Sequence, residues 1–227
     1  AYEIRPRDWS SDGCSSDLDG GRAVGVRAID ATGVERVVTA DREVILAAGA
    51  VASPAILQRS GVGDVDLLAE HGIEVVAAAP EVGRNLLDHL MCAVVVSCPE
   101  PVTLVDAEKP SQLAKYLLFR KGLLTSNVGE AAAFIRTRPD LAAPDVEVIF
   151  GPVPYIDHGL IDWDPGHGLA VGPVLVQPAS RGEVAITSDD PLAPVRIDPR
   201  YLSASGDLEA LTAGRSEEHT SELQSRG

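Results

Sequence analysis

Apolar and polar positions alternate from Arg22 to Ile29, the pattern of a half-buried strand. Asp30-Ala31-Thr32-Gly33 supplies a turn, and Val34 to Thr39 reads as the returning strand. Val44 to Ala48 is a continuous apolar run, which predicts a strand covered on both faces. Ser53 to Arg59 reads as a short helix. Ser53 is suited to the N-cap and Pro54 to the first helical position, where a missing amide costs nothing. Ser60-Gly61-Val62-Gly63 ends that helix. Asp64 opens a second helix, Val65 to His71, which Gly72 stops, and Ile73 to Ala77 predicts another strand. Strand and helix alternate through this half, as they do in an α/β layer.

The texture changes after Met91. Ser111 to Arg120 is amphipathic with helical spacing and is stopped by Gly122. Ala131 to Arg136, Val146 to Pro152, Leu169 to Pro178, Glu183 to Thr187 and Val195 to Ile197 predict strands of an antiparallel sheet. Asp207 is placed to cap a final helix. The fold class expected is therefore α/β plus α+β, with a division near residue 90.

The two ends break the pattern. Arg215 to Ser225 reads as the in-frame translation of a sequencing adapter, and Cys14 to Leu18 matches the opposite adapter. Residues 1–18 and 215–227 are therefore set aside from fold reasoning, as added segments are. The expected domains are 19–90 and 91–214, an internal piece of a longer product.

Hydrophobic residues make up 45% and charged residues 23%, so a core can form. The formal charge of −15 argues against general binding to nucleic acid or to anionic membranes. No apolar run reaches the ~20 residues that a bilayer crossing needs. Cys92 and Cys98 form no Cys-x-x-Cys pair and have no histidine at zinc spacing, so neither a disulfide framework nor a metal site is expected. Buried, reduced thiols are the expectation for both, which fits a cytoplasmic protein.

The densest chemistry lies at Gly49-Ala50-Val51-Ala52-Ser53-Pro54, directly after the apolar run ending in Ala47-Ala48. A strand end, a glycine turn and a helix N-terminus together favour an anion or a polarised cofactor group. A serine hydrolase would need Gly-x-Ser-x-Gly, and Ser53 has Val51 and Ala55 at those places. The Gly-Lys-Ser/Thr ending of a phosphate loop is also missing.

Gly49, Ala50, Ser53, Pro54, Leu57 and Ser60-Gly61-Val62-Gly63 resemble the second signature of the glucose-methanol-choline (GMC) flavin oxidoreductases. Four further blocks are similar to the same family. They are Val82-Gly83-Arg84-Asn85-Leu86-Leu87-Asp88-His89, then Leu124 to Phe134, Ser180-Arg181-Gly182-Glu183-Val184, and Ile197-Asp198-Pro199-Arg200-Tyr201. Order and spacing agree from residue 22 to residue 213.

The resemblance implies part of an FAD-binding Rossmann-like domain followed by part of an antiparallel-sheet substrate domain. It implies FAD as cofactor of the full-length protein, a small alcohol such as choline as substrate, and an electron acceptor that it does not name. In the family a histidine base takes the hydroxyl proton while hydride passes to the flavin. None of His71, His89, His158 or His167 stands in that catalytic context, and the family's Gly-x-Gly-x-x-Gly is absent. The chain itself is expected to lack turnover and to bind FAD little or not at all.

By the same resemblance Ala47, Ala48 and Gly49 approach the flavin nucleotide, and Ser53 contributes as helix cap or ligand. Glu130 begins a strand at the substrate cavity, where its carboxylate would attract a cationic alcohol; an exposed or paired acid is the other reading. Asn85 and Asp88 either hold the crossover between domains by side-chain-to-backbone bonds or belong to a solvated loop. The alternative to an oxidoreductase fragment is a non-catalytic, stand-alone binding or degenerate domain.

Overall fold

The computed structural model describes residues 14–19, 21–30, 32–156 and 166–224; side chains are described from residue 21 to residue 215. The chain forms two compact units, one of Ala1–Leu87 with Arg181–Tyr201, the other of Asp88–Ser180 with Leu202–Gly227. The sequence suggests a single crossing near residue 90. Instead residues 181–201 return to the first unit.

The first unit opens with three antiparallel strands, β1 (Cys14–Asp19), β2 (Arg22–Ile29) and β3 (Glu35–Thr39), with β2 in the middle. The Asp30–Gly33 turn forms as its residues predict. Asp30 Oδ1 accepts the Thr32 and Val34 amides at 2.9 and 3.1 Å, and Oδ2 meets Arg36 Nε at 2.6 Å. The Thr32 hydroxyl, which donates to Oδ1 at 2.5 Å, and then Arg36 and the Val34 amide hold the Asp30 carboxyl well below its ordinary range. Residues 14–19, of which 14–18 are set aside above as adapter-like, pair along the open edge of β2. Backbone ladders are sequence-independent, so any extended segment can occupy such an edge.

Val44 to Ala48 does not form the doubly covered strand its apolar run predicts. It joins no ladder, and Ile45 is 78% exposed. Its hydropathy encodes sheet neighbours that are not found among the described residues.

Helix α1 (Gly49–Arg59) follows, then β4 (Val62–Gly63), α2 (Val65–Glu70) and β5 (Ala77–Ala78), with β4 and β5 parallel. The strand expected over 73–77 is thus reduced to a two-residue pair. Asp64 caps α2 as predicted, accepting the Asp66 and Leu67 amides at 3.0 and 3.2 Å.

Strand β6 (Arg84–Leu86) completes this stretch. The second unit then adds β7 (Val94–Ser97), α3 (Pro110–Phe119), β8 (Ala131–Ile135), β9 (Val146–Gly151) and β10 (Gly168–Leu175). Its sheet is antiparallel in the order β7-β10-β9-β8. Strand β7 has no counterpart in the sequence reading, because Val94-Val95-Val96 is too short to show a period. Neither thiol flanking it is buried as expected: Cys92 is exposed and Cys98 half-buried.

Strands β11 (Gly182–Ala185) and β12 (Arg196–Asp198) belong to the first unit, in a sheet ordered β12-β11-β6. The expectation that 183–187 and 195–197 extend the substrate-domain sheet is corrected accordingly. Alternation identifies a strand but not its partner.

The last helix, α4 (Ser205–Gln224), packs on β9 and β10. Val146, Leu175, Ala210 and Leu211 form its buried core, with Leu90, Ile135 and Val148 against them. Asp207 does not cap this helix. It is buried inside the helix's first turn, and its carboxylate accepts the Ala179 and Ser180 amides at 2.7 and 2.9 Å.

Candidate functional site

The helix that carries the candidate site starts earlier than its sequence indicates. Ala48 is the N-cap of α1 and Gly49 the first helical residue, so Pro54 lies inside the helix. Ser53 is therefore not the N-cap. Its Oγ reaches back one turn and accepts the Ala48 amide at 3.1 Å. The correction has a local cause. Gly49 takes φ +84°, a left-handed conformation open to glycine, and this lets the chain enter the helix at that point.

Ala47, Ala48, Gly49 and Ser53 thus come together at one helix end. A Cβ placed on Gly49 would meet nothing within 4 Å. The backbone there faces open space, and the first amides of an α-helix have no partner inside it. Beside this end runs a shallow cleft of about 210 Å³, lined by Ala50, Pro54, Gly83, Asn85, Leu87 and Val184 among others. Glu130 belongs to the second unit. It is exposed and directly precedes β8, with its amide bonded to the Val128 carbonyl at 3.1 Å.

The cleft floor depends on a residue that the sequence reading missed. Gln58 is 1% exposed. Its Nε2 donates to the Val82 and Val184 carbonyls at 3.1 and 3.2 Å, and its Oε1 accepts the Ile186 amide at 3.0 Å. Gly83 sits against this junction: a Cβ there would stand 2.1 Å from the Val184 oxygen and 2.6 Å from Gln58 Nε2. A polar residue on the inward face of an otherwise apolar helix was the available signal.

Asn85 donates to the Glu81 carboxylate at 3.0 Å rather than to backbone, and Asp88 accepts the neighbouring His89 amide at 2.9 Å. His167 is half-buried, with Nδ1 2.7 Å from the Thr103 hydroxyl. His158 lies outside the described residues. Arg59 donates to the Ala193 carbonyl at 2.8 Å, and burial lowers its pKa below the ordinary arginine value.

Residues 17–91 match the family described as GMC oxidoreductase. The chain is 53% identical over 199 residues to an uncharacterized GMC-type oxidoreductase of Mycobacterium tuberculosis, covering 87% of this chain and 37% of that protein. It is 40% identical over 191 residues to an oxygen-dependent choline dehydrogenase of Chromohalobacter salexigens, covering 82% of this chain and 34% of the relative. With the alcohol dehydrogenase [acceptor] of Pseudomonas putida it shares 38% identity over 201 residues, 85% of this chain and 36% of that one. Among solved structures, formate oxidase of Aspergillus oryzae matches with a TM-score of 0.81 at 25% identity, over 90% of this chain and 41% of that chain. The chain spans little more than a third of the length of these curated relatives. These matches run through the helix that carries Gly49 and the cleft beside it, and they make the chain similar to GMC oxidoreductases over about a third of their length.

Proposed function

We propose that this chain is part of an FAD-dependent oxidoreductase acting on CH–OH groups of alcohols, in the choline and alcohol dehydrogenase-like branch. The supporting observation is the open start of α1. A glycine at positive φ faces free space, with helix-end amides beside it and an adjoining cleft. These features suit a phosphate or other polarised part of a dinucleotide. The family relation and the FAD named for the Aspergillus oryzae formate oxidase point the same way.

In this reading, residues 19–90 with the returning 181–201 segment form part of a Rossmann-like FAD-binding domain, and most of 91–214 forms part of the substrate domain. Residues 1–18 and 215–227 are extraneous to both. Ala47, Ala48 and Gly49 present backbone to the cofactor. Ser53 fixes the Ala48 amide and so positions that backbone. FAD, when bound, supplies a hydride acceptor. Glu130 biases the substrate pocket toward cationic alcohols by charge attraction. The base that takes the hydroxyl proton is contributed by sequence other than these residues. The relatives named for choline and alcohol favour this substrate class.

The test joins residues 19–214 to the remaining sequence of the Mycobacterium tuberculosis relative. A yellow protein whose flavin band bleaches anaerobically with choline or a primary alcohol is the expected result. A folded but colourless protein would instead favour a degenerate binding domain. A yellow protein that no alcohol bleaches would reject the substrate class.

A further inference from the structure

Val128 holds a backbone conformation that its side chain opposes. Its φ is +73°. Among the described residues the other non-glycine positions with positive φ are Asn85, Arg120, Arg200 and Leu202, and none of those side chains is branched at Cβ. A β-branched residue in the left-handed region is an outlier. Such strain persists only where the surroundings over-determine it, and it gathers at functional sites.

The surroundings of Val128 are local and specific. Its amide donates to Ser126 Oγ at 3.1 Å. The Gly129 amide donates to the Asn127 carbonyl at 2.9 Å, which closes a three-residue turn centred on Val128, the strained hand of that turn. The Glu130 amide donates to the Val128 carbonyl at 3.1 Å and closes a second turn directly on the first. That carbonyl oxygen also lies against β9, where a Cβ on Gly151 would stand 3.3 Å from it. The β8–β9 ladder ends with Ala131 opposite Phe150. Glu130 is therefore the single residue between the ladder and the strained turn, with its backbone held from both sides.

We propose that Val128 is a positioning residue: its strained turn fixes the direction in which Glu130 leaves the backbone, and so sets the preference for a cationic over a neutral alcohol of the same shape. Glycine would take the same φ without strain, but it would also leave the turn freely. A β-branched side chain has few alternatives once the turn is closed, so valine trades stability for a fixed aim. This inference rests on the reading of Glu130 as the carboxylate that attracts the charge of the substrate, and it adds to that reading what holds the carboxylate in place.

The experiment compares choline with its neutral analogue, in which a quaternary carbon replaces the nitrogen, in the flavin-loaded protein completed with the Mycobacterium tuberculosis sequence. Val128→Asn tolerates positive φ and should keep the preference for choline. Val128→Pro cannot take positive φ and has no amide for Ser126. Val128→Gly can leave the turn, and it carries the comparison where the proline variant takes up no flavin. Both should raise KM for choline by about three- to fivefold, the size of a partly solvated ion pair, with kcat and the KM of the neutral analogue unchanged. Hydrogen exchange needs no turnover, and it should show the Glu130 amide losing protection in Val128→Pro and Val128→Gly but not in Val128→Asn. Glu130→Gln tests the reading underneath. If it leaves the preference unchanged, that reading fails and the proposal falls with it. If Glu130→Gln abolishes the preference while the glycine and proline variants keep it, only the role of Val128 is overturned. Equal loss in Val128→Asn and Val128→Gly, with protection at Glu130 intact, would also overturn it, because contact with the valine side chain would then be the cause.

Discussion

The side chain of Gln58 accepts the Ile186 amide at 3.0 Å, joining two residues 128 positions apart in the chain. Gln58 Nε2 donates to the carbonyls of Val82 and Val184, so one buried side chain ties α1 to the segment before β6 and to the end of β11. This explains why residues 181–201 belong to the first unit. Replacing Gln58 with leucine keeps the volume but leaves the Ile186 amide and two carbonyls without their partner. A loss of about 2–5 kcal/mol in unfolding free energy is expected. Chemical denaturation will measure it, and a loss below about 1 kcal/mol would show that the junction tolerates an apolar plug.

Gly49 and Gly83 separate conformational from steric demand. Both have positive φ, +84° and +85°. Gly49→Ala meets only the intrinsic cost of a left-handed alanine, roughly 1–2 kcal/mol. Gly83→Ala adds a collision with the Val184 oxygen at 2.1 Å, backbone that cannot move aside cheaply. Its cost should reach about 3 kcal/mol or more. Melting midpoints of the two variants should therefore rank Gly83→Ala clearly below Gly49→Ala. Equal midpoints would mean that the 83–184 contact relaxes freely.

Asp64 gives a pH signature. The Leu67 amide lowers its pKa from the ordinary 3.8; burial opposes this, and Arg84 and the Asp66 amide add to the lowering. A carboxylate with a depressed folded pKa stabilises the fold fully above its unfolded value. That contribution is lost as pH falls through the folded value. Asp64→Asn keeps a side-chain oxygen for capping but loses the 3.2 Å contact to Arg84 as an ion pair. Its deficit in denaturation midpoint should be constant from about pH 7 to about pH 5 and shrink below about pH 4. A deficit that persists undiminished into acid would remove charge from the explanation. Asp30 is lowered in the same direction and remains in both proteins, so it cancels in the difference.

What could be read in advance was local. The Asp30–Gly33 turn, the Asp64 cap and the end of α1 at Gly61 each depend on side chains within a few residues of the backbone they serve, and each forms as the sequence indicates. What could not be read was the choice of partner. Strands β11 and β12 alternate like those of the second unit but pair beside β6, because Gln58 and the close approach at Gly83 fix them there. The start of α1 was misplaced because Ser-Pro satisfies a cap pattern that a left-handed glycine four residues earlier pre-empts. The open backbone at Gly49 was legible for the opposite reason: nothing in the sequence competes for it.

Asp207 carries the last prediction. It is 3% exposed and its two oxygens accept the amides of Ala179 and Ser180, while the Ser180 hydroxyl accepts the Ala204 amide at 3.1 Å. One carboxylate in the first turn of α4 thereby closes the end of the segment following β10. Asp207→Asn can place its single carbonyl oxygen on only one of the two amides, and its NH₂ group would then oppose the other N–H. A cost of about 1–3 kcal/mol is expected, since a buried amide loses its acceptor. Asp207→Ser is too short to reach both amides and should cost as much or more. Hydrogen exchange supplies the discriminating measurement. The Ala179 and Ser180 amides should lose protection in both variants, while the β9–β10 ladder from Val146 to Leu175 stays protected until global unfolding. Unchanged protection at 179 and 180 would mean that the turn holds without the carboxylate.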